Sequence, residues 1–227
     1  MKIYPLHSWD LSASEAIALQ KELAGRIDVS RPLERCERVA GADISYNRYS
    51  NTFYAGVVVL RTADWTIIET QGAVGESTFP YIPGLLSFRE GPILLEAFAR
   101  LEAEPDAIMF DGQGTAHPRR FGLACHMGLW LQKPSLGCAK SRLTGRYKEL
   151  GRKAGATVPL VAGEGEVIGR VVRTKTGVQP VYVSPGHLID LESAVCLTLT
   201  ACQGYRLPEP TRQAHLHVNA LRRAGGG

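Results

Sequence analysis

No stretch of this chain stays apolar for the ~20 residues that a bilayer-spanning helix needs, so no membrane span is expected. The segment Met1 to His7 has no apolar signal core. Cysteine is sparse and unpaired in pattern: Cys36, Cys125, Cys138, Cys196 and Cys202 include no CxxC and no zinc-ligand spacing. An odd count in a chain of 227 residues also argues against a disulfide scaffold. Reduced, mostly buried thiols in a cytoplasmic protein are expected. Heptads, internal repeats, low-complexity tracts and linkers are all missing. One domain spanning residues 1–227 is therefore expected, and nothing signals a stable oligomer, so the expected state is a monomer.

What is present is an ordinary globular composition, 44% hydrophobic and 21% charged. A net charge of +4 says little about partners, but its distribution says more. Residues 117–153 carry nine bases (Arg119, Arg120, Lys133, Lys140, Arg142, Arg146, Lys148, Arg152, Lys153) against one acid, Glu149. Residues 1–116 carry sixteen acids and ten bases. A local basic excess is the footprint of a polyanion partner or simply a solvated face.

Ser12-Ala13-Ser14-Glu15 is a capping box and predicts a helix start. Strand-like segments follow at 39–46, 53–60 and 66–74, spaced for an antiparallel meander. Phe79-Pro80-Tyr81-Ile82-Pro83-Gly84 interrupts the pattern, since two prolines forbid a regular helix or central strand. The periodicity then predicts a helix at about 88–101, a short buried strand at 107–110 and a helix at 121–131. A strand at 135–140, a hairpin from 167–174 and 178–183, and helices at 188–201 and 211–223 complete the series, with Gly225-Gly226-Gly227 expected to fray. Strands first, then strands alternating with helices, predict one mixed α/β sheet with helices on its faces.

Two aspartates interrupt apolar runs. Asp43 ends Val39-Ala40-Gly41-Ala42, and Asp111 ends Ala107-Ile108-Met109-Phe110. A carboxylate is costly to bury alone, and two on neighbouring strands repel unless a cation lies between them. Mg2+ is the natural choice for carboxylate oxygens. Glu90 is a third candidate ligand, although the first turn of the helix after the PYIPG loop also suits an acid on dipole grounds. Lys140 ends the apolar run Leu136-Gly137-Cys138-Ala139, where an amine could neutralise charge on a phosphate or merely lie over the sheet. Arg119 and Arg120 are candidate phosphate contacts, and His117 and His215 candidate proton carriers or phosphate contacts. Tyr81 and Ile82 project from a proline-stiffened loop, either as apolar wedges for prising bases apart or as a packed surface turn. Gly84 and the Gly112 to Gly114 turn would let backbone approach a base that has been swung out.

Taken together, Gly41-Ala42-Asp43-Ile44-Ser45-Tyr46, Pro80-Tyr81-Ile82-Pro83-Gly84 with Ser87-Phe88-Arg89-Glu90, Asp111-Gly112-Gln113-Gly114 through His117-Pro118-Arg119-Arg120-Phe121-Gly122, and Gly137-Cys138-Ala139-Lys140-Ser141 resemble the endonuclease V family. The motif that starts at Asp111 is the most specific of them. The resemblance implies an RNase H-like fold with a five-stranded mixed sheet flanked by helices. It implies Mg2+, with Mn2+ able to substitute, on Asp43, Asp111 and Glu90. Lys140 matches the catalytic lysine, and His215 a late histidine near the active site, with His217 two residues away. Tyr81 matches the wedge, and Pro80, Ile82, Pro83, Gly84, Leu85, Gly112, His117 and Arg119 are then expected to contact DNA or the lesion. The implied reaction is hydrolysis of the second phosphodiester bond 3′ to deoxyinosine in damaged DNA, leaving a 3′-hydroxyl and a 5′-phosphate. The alternatives are an endoribonuclease acting on inosine in RNA, a nuclease without lesion preference, and a non-enzymatic nucleic-acid-binding module.

Overall fold

The computed structural model describes residues 1–47 and 50–225. The expected fraying of the C-terminal glycines concerns Gly226 and Gly227, which lie outside the described residues, while Gly225 caps the last helix. The capping box forms as expected: the Ser12 hydroxyl accepts from the Glu15 amide, and the Glu15 carboxylate accepts from the Ser12 amide at 2.8 Å. It starts α1 (Ala13–Ala24).

The expected meander is β1 (Arg38–Tyr46), β2 (Thr52–Arg61) and β3 (Ile67–Glu76), all antiparallel. Next come α2 (Leu86–Ala99), β4 (Ala107–Phe110), α3 (Leu123–Leu131) and β5 (Ser135–Ala139). Strands β6 (Thr157–Val161), β7 (Val167–Val172) and β8 (Val181–His187) are followed by α4 (Leu191–Thr200) and α5 (Glu209–Ala224).

These strands make one mixed sheet in the order β3-β2-β1-β4-β5-β8-β7-β6. It has eight strands, not the five that the resemblance implied. The hairpin β7–β8 joins it through antiparallel pairing of β8 with β5, and β6 extends it further. Strand β6 escapes a sequence reading because Pro159 sits inside it. Proline is tolerated there because β6 is an edge strand whose outer side carries only a bridge at its end, between Val161 and Arg146.

Alternation along the strands sorts the core into two layers. Ala40, Ala42, Ile108 and Phe110 pack under α2 and α3, with Leu94, Phe98 and Met127. Val39, Ala107, Met109, Leu136 and Cys138 face the other way, towards α4 and α5, with Ala194 and Ala214. Helix α5 comes very close to the sheet. A Cβ added at Gly41 would lie 1.9 Å from the Pro210 carbonyl oxygen, one at Gly56 2.9 Å from Val218, and one at Gly72 2.4 Å from Leu221. These glycines form a trough across β1, β2 and β3, and α5 lies in it.

Gly41→Ala is expected to push α5 off the sheet. Overpacking against fixed backbone costs roughly 1–3 kcal/mol or more, and each kcal/mol lowers the melting temperature by about 2–4 °C in a chain of this size. Gly163→Ala, where a Cβ meets nothing within 4 Å, is the control. Equal melting of the two variants would show that α5 does not depend on this contact.

Candidate active site

Strands β1, β4 and β5 are parallel neighbours. Ala42 pairs with Phe110, and Phe110 with Gly137. Asp43, Asp111 and Lys140 lie at the C-terminal ends of this set, the usual place for a site in an open α/β sheet. The Asp111 amide donates to the Ala42 carbonyl at 3.1 Å, which sets the two aspartates side by side. The side-chain period of two then matters. Residues 39, 41 and 43, residues 107, 109 and 111, and residues 136, 138 and 140 each share a face, so all three functional side chains point to the α5 side.

Helix α5 brings His215, whose Nδ1 donates to Asp43 Oδ2 at 2.8 Å. Asn219, one turn further on, donates to the His215 carbonyl at 2.8 Å and to its Nε2 at 3.1 Å. The amide therefore presents its nitrogen to the ring. The Ser45 hydroxyl donates to the Asn219 side-chain oxygen at 3.1 Å. Asn219 thus braces the His215 ring from the next turn of α5. It has no motif around it, and only its position four residues after His215 on a helix could have pointed to it. Lys140 Nζ pairs with Asp111 Oδ2 and lies 3.5 Å from His215 Nδ1.

The electrostatics are those of crowded, buried acids. The Asp43 and Asp111 side chains are only 10% and 11% exposed. Burial, then the neighbouring charge of Asp111, raises the Asp43 carboxyl to about 6, against the opposing pull of Lys140 and His215. Burial, then Asp43 and Asp111, raises Glu90 to about 8. Glu90 is not in the first turn of its helix as expected: α2 begins at Leu86, one turn earlier, and Glu90 is buried. The dipole explanation therefore lapses, since that effect fades beyond the first turn.

A group that prefers a proton to bare ionisation equally prefers a cation, so this site fits a divalent metal. One ligand atom from each of Asp43, Asp111 and His215 can be chosen so that all lie within 4.8 Å of one another. Two oxygens on opposite sides of one Mg2+ stand about 4.2 Å apart, so the trio needs little contraction. The tightest donor group thus contains His215 and not Glu90, which feels Asp43 and Asp111 through their charge.

Beside Asp111 and Lys140 opens a cavity of about 390 Å³. Its lining includes Tyr81, Ile82, Pro83 and Gly84, with His117 against Gly84, and also Gly112, Arg142 and Leu143. Tyr81 is 65% exposed, which rules out its packing in the core. Pro80 is exposed but not part of the lining. Leu85 is corrected: it is 1% exposed and packs with Phe79 and Phe88, and Leu86 takes its place on the cavity wall. The Gly114 amide is spent on the Ser184 hydroxyl at 2.9 Å, and of the turn's two glycines Gly112 lines the cavity, beside Gln113.

Ser87, also on the wall, is anchored from behind by a hydrogen-bond chain that fixes its own proton. Trp130 Nε1 can only donate, and it meets His7 Nε2 at 3.3 Å. His126 Nε2 must then donate to His7 Nε2 at 2.7 Å, so His126 Nδ1 accepts from the Ser87 hydroxyl at 2.9 Å.

Two expected nucleic-acid contacts turn inward. His117 is 3% exposed, and its ring joins the Gly84 carbonyl to the Arg119 amide. Burial, then the nearby Arg119 charge, lowers it to about 4, which leaves it neutral and no proton carrier near neutral pH. Arg119 donates to Gln20 and Gly84 rather than facing solvent. The basic excess shrinks in the same way. Arg120 pairs with Glu166, Lys133 with Glu104 and Lys140 with Asp111. Arg142, Arg146, Lys148, Arg152 and Lys153 remain exposed, with no ion pair among the described residues.

The raised carboxyl of Glu90 carries a sign that can be tested in EDTA. A folded value of about 8 against an ordinary 4.5 means stability that is complete below pH 4.5 and lost as pH rises to about 8. Asp43 adds a loss of the same sign, finished by about pH 6. Glu90→Gln keeps the shape and cannot ionise. The urea midpoint of the metal-free variant is expected to gain steadily on that of the parent from about pH 6 to about pH 8, the titration of His7, His117, His126 and His187 being common to both. Parallel curves would mean that Glu90 is ionised in the folded chain.

Residues 21–216 match the family model described as Endonuclease V. The endonuclease V of Dehalococcoides mccartyi is 50% identical over 221 residues, 97% of this chain and 99% of that protein. The crystal structure of the Streptomyces avermitilis endonuclease V superposes with a TM-score of 0.90 at 42% identity, covering 96% of each chain. That of Ciona intestinalis endonuclease V, in complex with a 24mer DNA containing an inosine followed by a ribo-adenosine, gives a TM-score of 0.82 at 25% identity, covering 93% of this chain and 97% of that one. With aligned acids at strand ends, an exposed tyrosine over a cavity and this breadth of similarity, the chain belongs to the endonuclease V family of nucleases.

Proposed function

We propose that this chain is a DNA-repair endonuclease that recognises deoxyinosine and hydrolyses the second phosphodiester bond on its 3′ side, leaving a 3′-hydroxyl and a 5′-phosphate. The carrying observation is the convergence of Asp43, Asp111 and Lys140 beside a cavity overhung by Tyr81. The inosine-containing DNA bound by the Ciona relative supports the same substrate class. The metal is Mg2+, with Mn2+ able to substitute, because the carboxylates of Asp43 and Asp111 are the hard oxygen donors that these ions favour. Asp43 and Asp111 hold it, His215 steadies Asp43, and Glu90 supplies buried negative charge behind them. When bound, the ion polarises the scissile phosphate and eases deprotonation of water.

The protein's own part is positional. Lys140 keeps a positive charge against Asp111, where negative charge grows on the phosphate. The cavity is of a size to take an extruded base, which costs least when the base pairs poorly. Tyr81 is placed to fill the gap left in the stack. Arg142, Arg146, Lys148, Arg152 and Lys153 offer phosphates an electrostatic track.

We read residues 1–227 as one domain, because strands from Arg38 to His187 share one sheet. The sheet order β3-β2-β1-β4-β5, with helices on both faces, supports an RNase H-like core. A monomer in a reducing cytoplasm fits five free thiols, and among the described residues no helix is long and apolar enough to cross a membrane.

The deciding experiment is cleavage of end-labelled strands, one DNA with a single deoxyinosine and one RNA with a single inosine, with Mg2+ or EDTA. A Mg2+-dependent cut one nucleotide beyond the DNA lesion is expected. Asp43→Ala and Asp111→Ala should abolish it, and Lys140→Ala should slow it by about 10²–10³ while binding persists. Cutting of the RNA alone would transfer the reading to inosine in RNA, and binding without cutting would reduce the chain to a nucleic-acid-binding module.

Salt dependence tests the corrected basic track. The slope of log affinity against log salt should fall by about 0.9 for each phosphate-bound charge removed from B-DNA. Arg142→Ala with Arg146→Ala is expected to flatten it by roughly twice that amount, whereas Arg120→Ala, whose charge is already paired with Glu166, should leave it nearly unchanged. Equal slopes in all three proteins would remove the track.

A further inference from the structure

Gln20 belongs to none of the motifs, yet it holds the loop that carries Tyr81. It lies on α1 and is 1% exposed. Its side-chain nitrogen donates to the Gly84 carbonyl at 2.9 Å and to the Phe121 carbonyl at 2.9 Å. Its side-chain oxygen accepts from Arg119 Nε at 2.5 Å. Two carbonyl neighbours on one atom and a guanidinium on the other leave a single orientation for the amide, with both N–H groups used.

The Gly84 carbonyl is the focus of this network. Besides Gln20 it accepts from Arg119 Nη2 at 2.8 Å and from His117 Nε2 at 3.0 Å. His117 is a donor there because its Nδ1 accepts the Arg119 amide. Gly84 has φ +83°, a backbone region that favours glycine, and a Cβ there would stand 2.8 Å from Arg119 Nη2. Three donors on one carbonyl thus close a loop whose other end carries an exposed aromatic ring.

We propose that Gln20 is a positioning residue for lesion recognition, tying the Tyr81 loop to α1 and to the 117–121 segment so that Tyr81 stands over the cavity before nucleic acid arrives. The inference rests on the deoxyinosine reading above. A loop ordered in advance spares its ordering entropy at the moment of binding, so releasing it weakens recognition rather than chemistry. Asp43, Asp111 and Lys140 are held by the sheet and do not pass through this network.

Gln20→Met keeps the length and removes all three hydrogen bonds. Three readouts are needed. Amide hydrogen exchange across residues 79–88, without DNA, is expected to speed up by tenfold or more. Preference for a deoxyinosine duplex over an undamaged one, measured with Ca2+ in place of Mg2+, is expected to fall by about tenfold, while kcat at saturating substrate stays within about twofold of the parent. Adding Tyr81→Ala should cause no further loss of preference, because both changes disable one element.

Unchanged loop exchange, a loss confined to kcat, or effects that multiply in the double variant would each overturn the inference. A parent chain that binds both duplexes equally would sink the deoxyinosine reading and the recognition role of Gln20 with it. A discriminating parent matched by an equally discriminating Gln20→Met variant would overturn the role of Gln20 alone. If Gln20→Met does not fold, Arg119→Lys is judged by the same criteria. It keeps a positive charge and gives up the fork that spans Gln20 and Gly84.

Discussion

In-register parallel pairing of β1 with β4 is the constraint on which the site depends. The Ala42–Phe110 pair and the Asp111 amide bond to the Ala42 carbonyl set two carboxylates side by side at the end of a sheet, nearly shielded from water. A slip of one residue would send one aspartate to the opposite face and dissolve the arrangement. Register of this kind is enforced by burial on both faces, since Ala40 and Ala42 must enter one core layer and Val39 the other. The hydrophobic core therefore determines where the acids stand, although no acid contributes to it.

That placement is costly, and the surrounding elements follow from the cost. Buried like charges raise Asp43 and, more strongly, Glu90. Lys140 at the end of β5 offsets part of this, which requires β5 to run parallel to β4 with its own end at the same level. His215 offsets another part from α5, and it reaches Asp43 only because glycines at positions 41, 56 and 72 let that helix sink into the sheet. A site tuned to hold a cation is poorly balanced without one. Some of the stability forgone at the acids is recovered in the contacts that surround them.

Much of this is legible in the amino-acid order, and what is not has identifiable physical reasons. The capping box at Ser12, the meander and the apolar runs before Asp43, Asp111 and Lys140 are local signals, and local signals survive folding. Their shared parity was also readable, since residues 43, 111 and 140 keep step with Val39, Met109 and Cys138. Strand β6 was hidden by Pro159, whose meaning depends on the strand lying at an edge. Arg119 and His117 look like solvent-facing phosphate contacts because their partners, the Gly84 carbonyl and Gln20, are over 30 residues away in the chain. Leu85 and Leu86 are indistinguishable as letters, and only the start of α2 decides which one faces the cavity. Gln20 and Asn219 carry no signal of their own, because an amide on a helix acquires meaning only from what it meets.

The two halves of the site are built from different physics. The acids, Lys140 and His215 hang on backbone ladders and a helix seated in a trough, a framework that gives way only with the sheet. Tyr81 hangs on a carbonyl held by three side chains, an attachment that can loosen while the sheet stays whole. A rigid framework suits the chemistry, where donor atoms must meet a small ion within a few tenths of an ångström. A side-chain network suits the proposed recognition role of Tyr81, since a wedge would enter a base stack that is itself deformable. The two meet at the cavity, whose lining includes both Gly84 and Gly112. Each half can then be tuned by substitution with little effect on the other, so a chain of this architecture can change the base or sugar it prefers while its phosphodiester chemistry is conserved.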